Sequence, residues 1–309
     1  MLPQAFKKVM KLMGNQFEIT VVAHTKEWAY TMIDEGVNEI KRIEKLLTTF
    51  SEDSETNLIN RCAGIEPVKV SDETFGIIER SIRISSVTQG AFDITYGSID
   101  KRLWNFDTSM KTLPSAKQAK KMVRLINYKN IALDEGNKTV FLQEKGMRIG
   151  FGGIGKGYAA EMAKEVMKKK SVTSGIVNAS GDLTAWGTQP DGKAWTVGIV
   201  HPDYKEYPFS YMNVSDMAVA TSGNYEKFVM INGKKYSHTI DPRTGLPVSG
   251  IKSVTIISPN AEICDAMATP VMIMGIHTGL DLINQLKQVS CVIIDDDNKI
   301  YTSKNLNCI

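Results

Sequence analysis

The chain has 309 residues, of which 42% are hydrophobic, so it can bury a large core as one domain or as two intertwined lobes. Its 37 basic and 34 acidic residues give a formal net charge of +3, and this balance gives no indication of a nucleic-acid partner. Four widely spaced cysteines without a Cys-x-x-Cys pair indicate neither a metal site nor a disulfide framework, and no apolar run approaches the roughly 20 residues of a membrane span.

The N-terminal segment, residues 1–16, has basic pairs but no apolar core, small-residue cleavage site or lipid-accepting cysteine of an export signal. We therefore expect a cytoplasmic protein if the chain is complete. If a leader was removed, we expect a periplasmic or membrane-anchored protein.

Hydrophobic periodicity defines the elements of the first half of the chain. Phe17, Ile19 and Val21 alternate with other side chains as in a strand with one buried face. The predicted elements are a strand over 16–24, a helix over 27–47 followed by a polar loop, a helix capped by Ser71 and ending near 87, a helix over 114–125, and a strand over 139–142.

A loop with five glycines, residues 150–157, opens the second half and precedes a segment of helical periodicity. Glycines let the backbone approach a ligand, and N–H groups at a helix N-terminus bind anions. The loop therefore indicates a phosphate-bearing ligand.

Two nucleotide-binding patterns fit this loop only in part. Gly150-x-Gly152-x-x-Gly155 matches a dinucleotide fingerprint, but the next acidic candidate, Asp182, lies too far along the chain. A Walker A loop would need Ser or Thr after Lys156 to hold Mg²⁺, and the chain has Gly157 there. Both patterns are therefore disfavoured by their context.

The remaining elements alternate irregularly. The predictions are strands over 195–200, 209–220 and 253–258, a hairpin over 228–240 turning at Asn232-Gly233, a helix capped by Asn260 and kinked at Pro270, a helix over 278–286, and a hairpin over 289–302. Because strands and helices come in mixed order without regular βαβ units, we predict an α+β fold.

Two further segments carry candidate chemistry. Asp265 and Thr269 are four residues apart on a predicted helix, so they share a face and offer the hard oxygen ligands that Mg²⁺ accepts, and Pro270 frees a backbone carbonyl in the preceding turn. His238 ends a hairpin strand just before an Asp-Pro-x-x-Gly turn, where it can act as a general base.

Seven ordered motifs between about residues 13 and 290 closely resemble those of the FAD:protein FMN transferases, the ApbE family. They are Gly90-Ala91-Phe92-Asp93-Ile-Thr95, Leu103-Trp104-Asn-Phe106, Gly152-Gly153-Ile-Gly155-Lys156-Gly157-Tyr158, Val177-Asn178-Ala-Ser-Gly181-Asp182, Ala220-Thr221-Ser222-Gly223, Tyr236-Ser237-His238-Thr-Ile240-Asp241-Pro242-Arg-Thr244-Gly245 and Asp265-Ala-Met-Ala-Thr269. Met13-Gly14 and the loop from Thr49-Phe50 to Ser54-Glu55 fit as well.

The resemblance implies an α+β flavin transferase fold of mixed sheets with flanking helices, FAD as substrate in a cleft, and Mg²⁺ at its pyrophosphate. It implies that the metal is held by Asp265, Thr269 and the Gly153 carbonyl. The residues that it implies for the FAD site are Met13, Phe50, Ala91, Phe92, Asp93, Lys156 and Ile240, with His238 and Asp265 at the chemistry.

The implied reaction is attack by a threonine hydroxyl of a target flavoprotein, such as a subunit of a membrane redox pump, on the FMN-side phosphorus of FAD, with release of AMP. His238, Asp241 or a metal-bound water could take the proton. An FAD pyrophosphatase and a non-catalytic FAD-binding protein remain alternatives, and a nicotinamide oxidoreductase is the weakest. Many relatives carry an acidic residue where this chain has Gly150, so that contact can shift to Asp182.

Overall fold

The computed structural model describes residues 2–100, 112–200, 208–224, 228–231, 233–237 and 239–308. Its strands are β1 (Gln4–Leu12), β2 (Asn15–Ala23), β3 (Val68–Lys69), β4 (Ile131–Asp134), β5 (Thr139–Leu142), β6 (Gly175–Ala179), β7 (Asp182–Trp186), β8 (Trp195–Val200), β9 (Pro208–Val214), β10 (Met217–Gly223), β11 (Phe228–Ile231), β12 (Lys234–Ser237), β13 (Ile251–Ser258), β14 (Ser290–Asp295) and β15 (Ile300–Thr302). Its α-helices are α1 (Lys26–Leu47), α2 (Glu55–Arg61), α3 (Asp72–Val87), α4 (Ala116–Met122), α5 (Gly155–Lys169), α6 (Ala261–Met274) and α7 (Ile276–Ile283).

A central sheet of the described residues has the strand order β1-β2-β6-β7-β10-β13-β14-β15. Every strand pairing in the described part of the chain is antiparallel. The dinucleotide fingerprint requires a parallel βαβ unit, so the glycine loop does not belong to a Rossmann unit. The mixture of antiparallel sheets and helices confirms the predicted α+β class.

The middle strands of the central sheet, such as β7 and β13, are buried on both faces, whereas the edge strand β1 is largely exposed. Ile256 belongs to the core that the sheet forms with α1, α5 and α6, while its neighbour Ile257 packs in a second core under the β8–β9 hairpin. On β10, Ala220 belongs to the first core and its neighbour Val219 to the second. Because successive strand residues point to opposite faces, this period of two fixes the register of the sheet.

The predicted helix caps at Ser71 and Asn260 are confirmed. Ser71 Oγ accepts the backbone N–H of Thr74 at 3.2 Å, and Asn260 Oδ1 accepts that of Ile263 at 3.0 Å. Each bond satisfies one of the N–H groups that a helix start leaves without a partner. The α6 helix continues through Pro270 to Met274.

Several predicted boundaries were wrong. The single strand predicted over 209–220 is two strands, β9 and β10, because the chain turns at Asp216, whose φ is 53°. The helix predicted over 114–125 is shorter in the structure, where α4 covers only Ala116–Met122. The sequence analysis also missed β1, and it missed α2, which the side chain of Ser54 caps by accepting the N–H of Asn57 at 3.1 Å.

Across the described ranges, no helix combines the length and the apolar character that crossing a bilayer requires. Among the same residues, Cys62, Cys264 and Cys291 carry free thiols, in agreement with the expectation from their spacing.

Candidate functional site

A cavity of about 410 Å³ lies between the glycine loop and α6. Its described lining comes from residues 91–97, 150–153, 239–242 and 269–273, which are far apart in sequence. This volume falls within the range of small-molecule and cofactor pockets. The fold therefore assembles one cavity from four of the motifs that the sequence analysis singled out.

Asp93 fixes the first wall of the cavity. Its Oδ1 accepts the backbone N–H of Thr95 at 2.8 Å and the hydroxyl of Thr95 at 2.6 Å, and its Oδ2 accepts the N–H of Tyr128 at 2.8 Å. Burial raises the pKa of Asp93, and these hydrogen bonds oppose that rise. The carboxylate thus holds a short 3-10 turn, residues 94–98, in which Ile94 accepts the N–H of Gly150 at 2.9 Å.

The glycine loop forms the second wall and leaves space open. A Cβ built on Gly152 would meet no atom of the described residues within 4 Å, and one on Gly153 would meet only Phe92 Cε2, at 3.6 Å. Side chains at these two positions would project into free volume. The loop therefore keeps the room that a ligand needs.

The end of the same loop is tightly packed. Gly157 donates its N–H to Asp265 Oδ2 at 2.9 Å, and a Cβ on Gly157 would lie 2.2 Å from the Ala261 carbonyl oxygen. One turn later in α5, Glu161 Oε2 accepts the N–H of Ala261 at 2.9 Å. We refer to Gly157, Glu161, Ala261 and Asp265 as the α5–α6 junction. Only glycine at 157 lets the two helices approach this closely.

Lys156, Asp182 and Asp265 form a charged cluster next to the junction. The Lys156 ammonium lies 2.9 Å from Asp182 Oδ2 and 3.2 Å from Asp265 Oδ1. The two carboxylates are buried, with side-chain exposures of 8% and 7%, whereas Lys156 is 25% exposed. The ammonium thus bridges two carboxylates that have little contact with solvent.

The ionisation of the cluster follows from burial and mutual charge. Burial lowers the pKa of Lys156, but the charges of Asp265 and then Asp182 outweigh it, so the pKa lies above its ordinary value. Burial raises the pKa of Asp182, and the charge of Asp265 raises it further against the opposing effect of Lys156. Lys156 therefore remains protonated at neutral pH.

Thr269 connects the cluster to the cavity. It lies one turn after Asp265 in α6 and lines the cavity, and its Oγ1 is 2.7 Å from Ser222 Oγ on β10. The hydroxyl is held in place by this bond, yet an oxygen with two lone pairs can also bind a cation. Asp265 and Thr269 thus present hard oxygen atoms on one face of one helix.

The sequence model of the ApbE family matches residues 13–293. The chain belongs to the ApbE family. The match covers nearly the whole chain, including the four cavity segments and the charged cluster, and it confirms the resemblance inferred from the ordered motifs.

Individual similar proteins are consistent with this family assignment. An FAD:protein FMN transferase of Klebsiella pneumoniae (strain 342) is 28% identical over 294 residues, which are 94% of this chain and 90% of that protein. One from Escherichia coli (strain K12) is 29% identical, covering 82% of this chain and 72% of that protein. The crystal structure of the ApbE protein of Thermotoga maritima superposes with a TM-score of 0.87 at 28% identity, covering 99% of each chain. At 23% identity, the Pseudomonas stutzeri flavinyl transferase ApbE shares the fold, with a TM-score of 0.85 over 99% of this chain and 97% of that one.

The predicted site residues fall into three groups in the ApbE chain. Ala91, Phe92, Asp93, Gly153, Ile240 and Thr269 line the cavity, while Lys156 and Asp265 lie in the charged cluster. Met13 and Phe50 are not among the residues that line the cavity: Met13 Cε lies 3.6 Å from where a Gly155 Cβ would be, and Phe50 is 99% exposed. His238 lies outside the described residues, as does the Leu103-to-Phe106 motif.

The sequence analysis missed some residues of this site. Tyr96, Pro242 and Ile273 line the cavity without having been predicted there. Asp182 had been considered as the acidic residue of a dinucleotide fingerprint and as a replacement contact for Gly150, but its salt bridge with Lys156 was not foreseen. Tyr96 directly follows one of the ordered motifs and Asp182 ends another, and these positions were the available signal.

Proposed function

We propose that this ApbE-family chain is an FAD:protein FMN transferase that moves FMN from FAD to a threonine hydroxyl of an acceptor flavoprotein and releases AMP, with Mg²⁺ as the metal. The observation that carries the proposal is the common cavity: the open glycine wall, the 91–97 turn and Thr269 line one space beside the charged cluster. The names of the curated relatives supply the reaction class. We also propose that residues 1–309 work as one domain.

Asp265, Thr269 and the Gly153 carbonyl would hold Mg²⁺. In the described ranges, no group of three or more His, Cys, Asp or Glu side chains is arranged to bind a metal. A set of one carboxylate, one hydroxyl and one carbonyl fits Mg²⁺ because this ion keeps waters and substrate phosphates as its other ligands. When bound, the ion neutralises charge on the phosphates.

The residues of the chain bind and orient the nucleotide. The N-terminus of α5 carries the partial positive charge of the helix dipole, and Lys156 adds a full positive charge for the diphosphate. Ala91, Phe92 and Ile240 offer apolar contacts inside the cavity. In this proposal, Met13 and Phe50 contact the bound FAD from outside the cavity lining. Phosphoryl transfer depends mainly on such positioning and charge stabilisation.

In the transfer step, the threonine oxygen forms a bond to the FMN-side phosphorus while the bond to the AMP oxygen breaks, and AMP leaves. The hydroxyl proton must pass to a base. Asp241 is a weak candidate because its Oδ1 accepts from the Arg243 backbone and both oxygens lie 2.9 Å from the Arg243 guanidinium. We therefore assign the base to His238.

The test combines the protein with FAD, Mg²⁺ and a flavoprotein acceptor, followed by denaturing electrophoresis and mass spectrometry. We expect a fluorescent acceptor band with FMN on one threonine, one AMP for each FMN transferred, and no label on an acceptor whose threonine is replaced by alanine. Free FMN and AMP formed at full rate without acceptor would instead identify an FAD pyrophosphatase. FAD that stays intact in the presence of Mg²⁺ would identify a binding protein.

A further inference from the structure

The two oxygens of the Asp265 carboxylate have partners of very different mobility. Oδ2 accepts the backbone N–H of Gly157, which belongs to the first turn of α5 and is packed against Ala261. Oδ1 accepts the ammonium of Lys156, which ends a long flexible side chain and is still 25% exposed. Oδ1 can therefore be vacated by a change of the Lys156 rotamer, whereas vacating Oδ2 would leave the buried Gly157 N–H without a partner.

The charges explain why Lys156 rests there. Asp182 and Asp265 are both more than nine-tenths buried, and their carboxylates share a single ammonium. A buried carboxylate without a counter-ion is strongly destabilising, so the protein without metal needs the lysine in this place. One net negative charge nevertheless remains in the cluster, which favours a further cation.

We propose that Lys156 is the built-in counter-ion of Asp265, and that a divalent cation binds Asp265 by displacing this ammonium from Oδ1 while Asp182 retains it. The inference rests on the proposed function, because it concerns the metal assigned there. Lys156 lies 2.9 Å from Asp182 Oδ2, so loss of the longer contact to Asp265 leaves it anchored. Held by Asp182, the ammonium stays in the first turn of α5, where a diphosphate would bind.

Displacement makes a specific prediction about affinity. A dication and an ammonium that compete for one oxygen oppose each other, so removing the ammonium should strengthen metal binding. In a Lys156→Met variant, however, the loss of one positive charge would by itself also strengthen Mg²⁺ binding, even without any displacement. The double variant Lys156→Met/Asp182→Asn separates the two causes, because it removes one positive and one negative charge and so keeps the net charge of the cluster while freeing Oδ1.

The experiment measures the dissociation constant of Mg²⁺ by titration calorimetry without FAD, in the wild type and both variants. We expect Mg²⁺ to bind Lys156→Met at least about tenfold more tightly than the wild type, and the double variant also more tightly than the wild type. Thermal unfolding gives a second readout: Lys156→Met should melt lower without Mg²⁺ and gain more from its addition. Should the single variant fail to fold, the charge-balanced double variant carries the test.

Two results would overturn the inference. One is a Mg²⁺ affinity of Lys156→Met equal to or weaker than that of the wild type. The other is a double variant with wild-type affinity, which would assign the effect to net charge alone. In both cases a wild type that binds Mg²⁺ and transfers FMN leaves the proposed function intact, whereas a wild type that binds no Mg²⁺ refutes the metal assignment itself.

Discussion

Two ends of one glycine-rich loop use the same residue type for opposite purposes. At Gly152 the structure leaves space, since an added Cβ would meet no described atom within 4 Å. At Gly157 it leaves none, since a Cβ would lie 2.2 Å from the Ala261 oxygen and 2.7 Å from Asp265 Cβ. Neither glycine has a φ between +20° and +160°, so backbone strain does not explain them. One glycine borders open space, and the other admits a neighbouring helix.

This difference separates the expected effects of substitution. Changes in the α5–α6 junction should lower the free energy of unfolding, because that region is filled and its polar groups are buried. Changes in the open wall should weaken binding and leave stability nearly constant. The predictions below test that separation.

The largest effect is expected at Glu161 in the junction. Glu161 forms a buried salt bridge with Lys164, and each residue is 6% exposed. Replacing Glu161 with Met keeps the volume but leaves the ammonium of Lys164 without its partner, so the free energy of unfolding should fall by about 3–5 kcal/mol. Urea denaturation monitored by circular dichroism measures this loss.

The double variant Glu161→Met/Lys164→Met is the matched control for the buried pair. It removes both charges, so it should recover most of the lost stability, with a remaining deficit of about 1 kcal/mol for the Ala261 N–H that loses its acceptor. A double variant as unstable as the single one would mean that the ion pair is not the cause.

Gly157→Ala should rank next. The added methyl group would overlap the backbone of α6, and no flexible side chain can move aside to relieve the overlap with the Ala261 oxygen. We expect the free energy of unfolding to fall by about 3 kcal/mol, the upper end of typical overpacking costs. Gly152→Ala, in the same loop, should stay within about 1 kcal/mol of the wild type. Equal stability of the two variants would contradict the inferred difference in packing between the two ends of the loop.

The contrast also shows which features the sequence could predict. The α1, α3 and α6 helices and the β2 and β5 strands were predicted because their periodicity or caps, such as Ser71 and Asn260, are local signals. By contrast, β1 is an edge strand with three lysines, and its apolar alternation was too weak to recognise. Short-range pattern therefore predicted the elements that carry strong local signals.

The junction could not be predicted from spacing. Gly157 and Asp265 are in contact although more than a hundred residues separate them in sequence. No residue near Gly157 in the sequence indicates this contact. In the sequence analysis Gly157 belonged to the glycine loop and to one family motif, and it argued against a Walker loop because it stands where Ser or Thr would bind Mg²⁺. The fold supplies the positive reason, which is the close approach of α6. Only the order of motifs shared with a family indicated that these segments meet.

Gly152→Val tests the open wall. The branched side chain should project into the open space at this wall without touching the packed core, so FAD should bind at least about tenfold more weakly, a loss of about 1.4 kcal/mol. Fluorescence titration of FAD measures the affinity, and the urea midpoint should change little. A stable variant with wild-type FAD affinity would show that the nucleotide does not lie against this wall.

The smallest effect is expected at Phe50, a predicted FAD-site residue that is not among those lining the cavity. Its side chain is 99% exposed, and the preceding residue, Thr49, contributes a methyl group 3.8 Å from where a Gly150 Cβ would be. An exposed phenyl ring adds little to stability, so Phe50→Ala should unfold within about 0.5 kcal/mol of the wild type. Stacking on an aromatic ring of FAD would contribute about 0.5–1.5 kcal/mol, a three- to tenfold loss of affinity. Phe50→Tyr, which keeps the ring, should bind FAD as the wild type does. If Phe50→Ala also binds FAD with wild-type affinity, the ring has no contact with the nucleotide. The FAD site then does not extend beyond the loop that starts at Gly150.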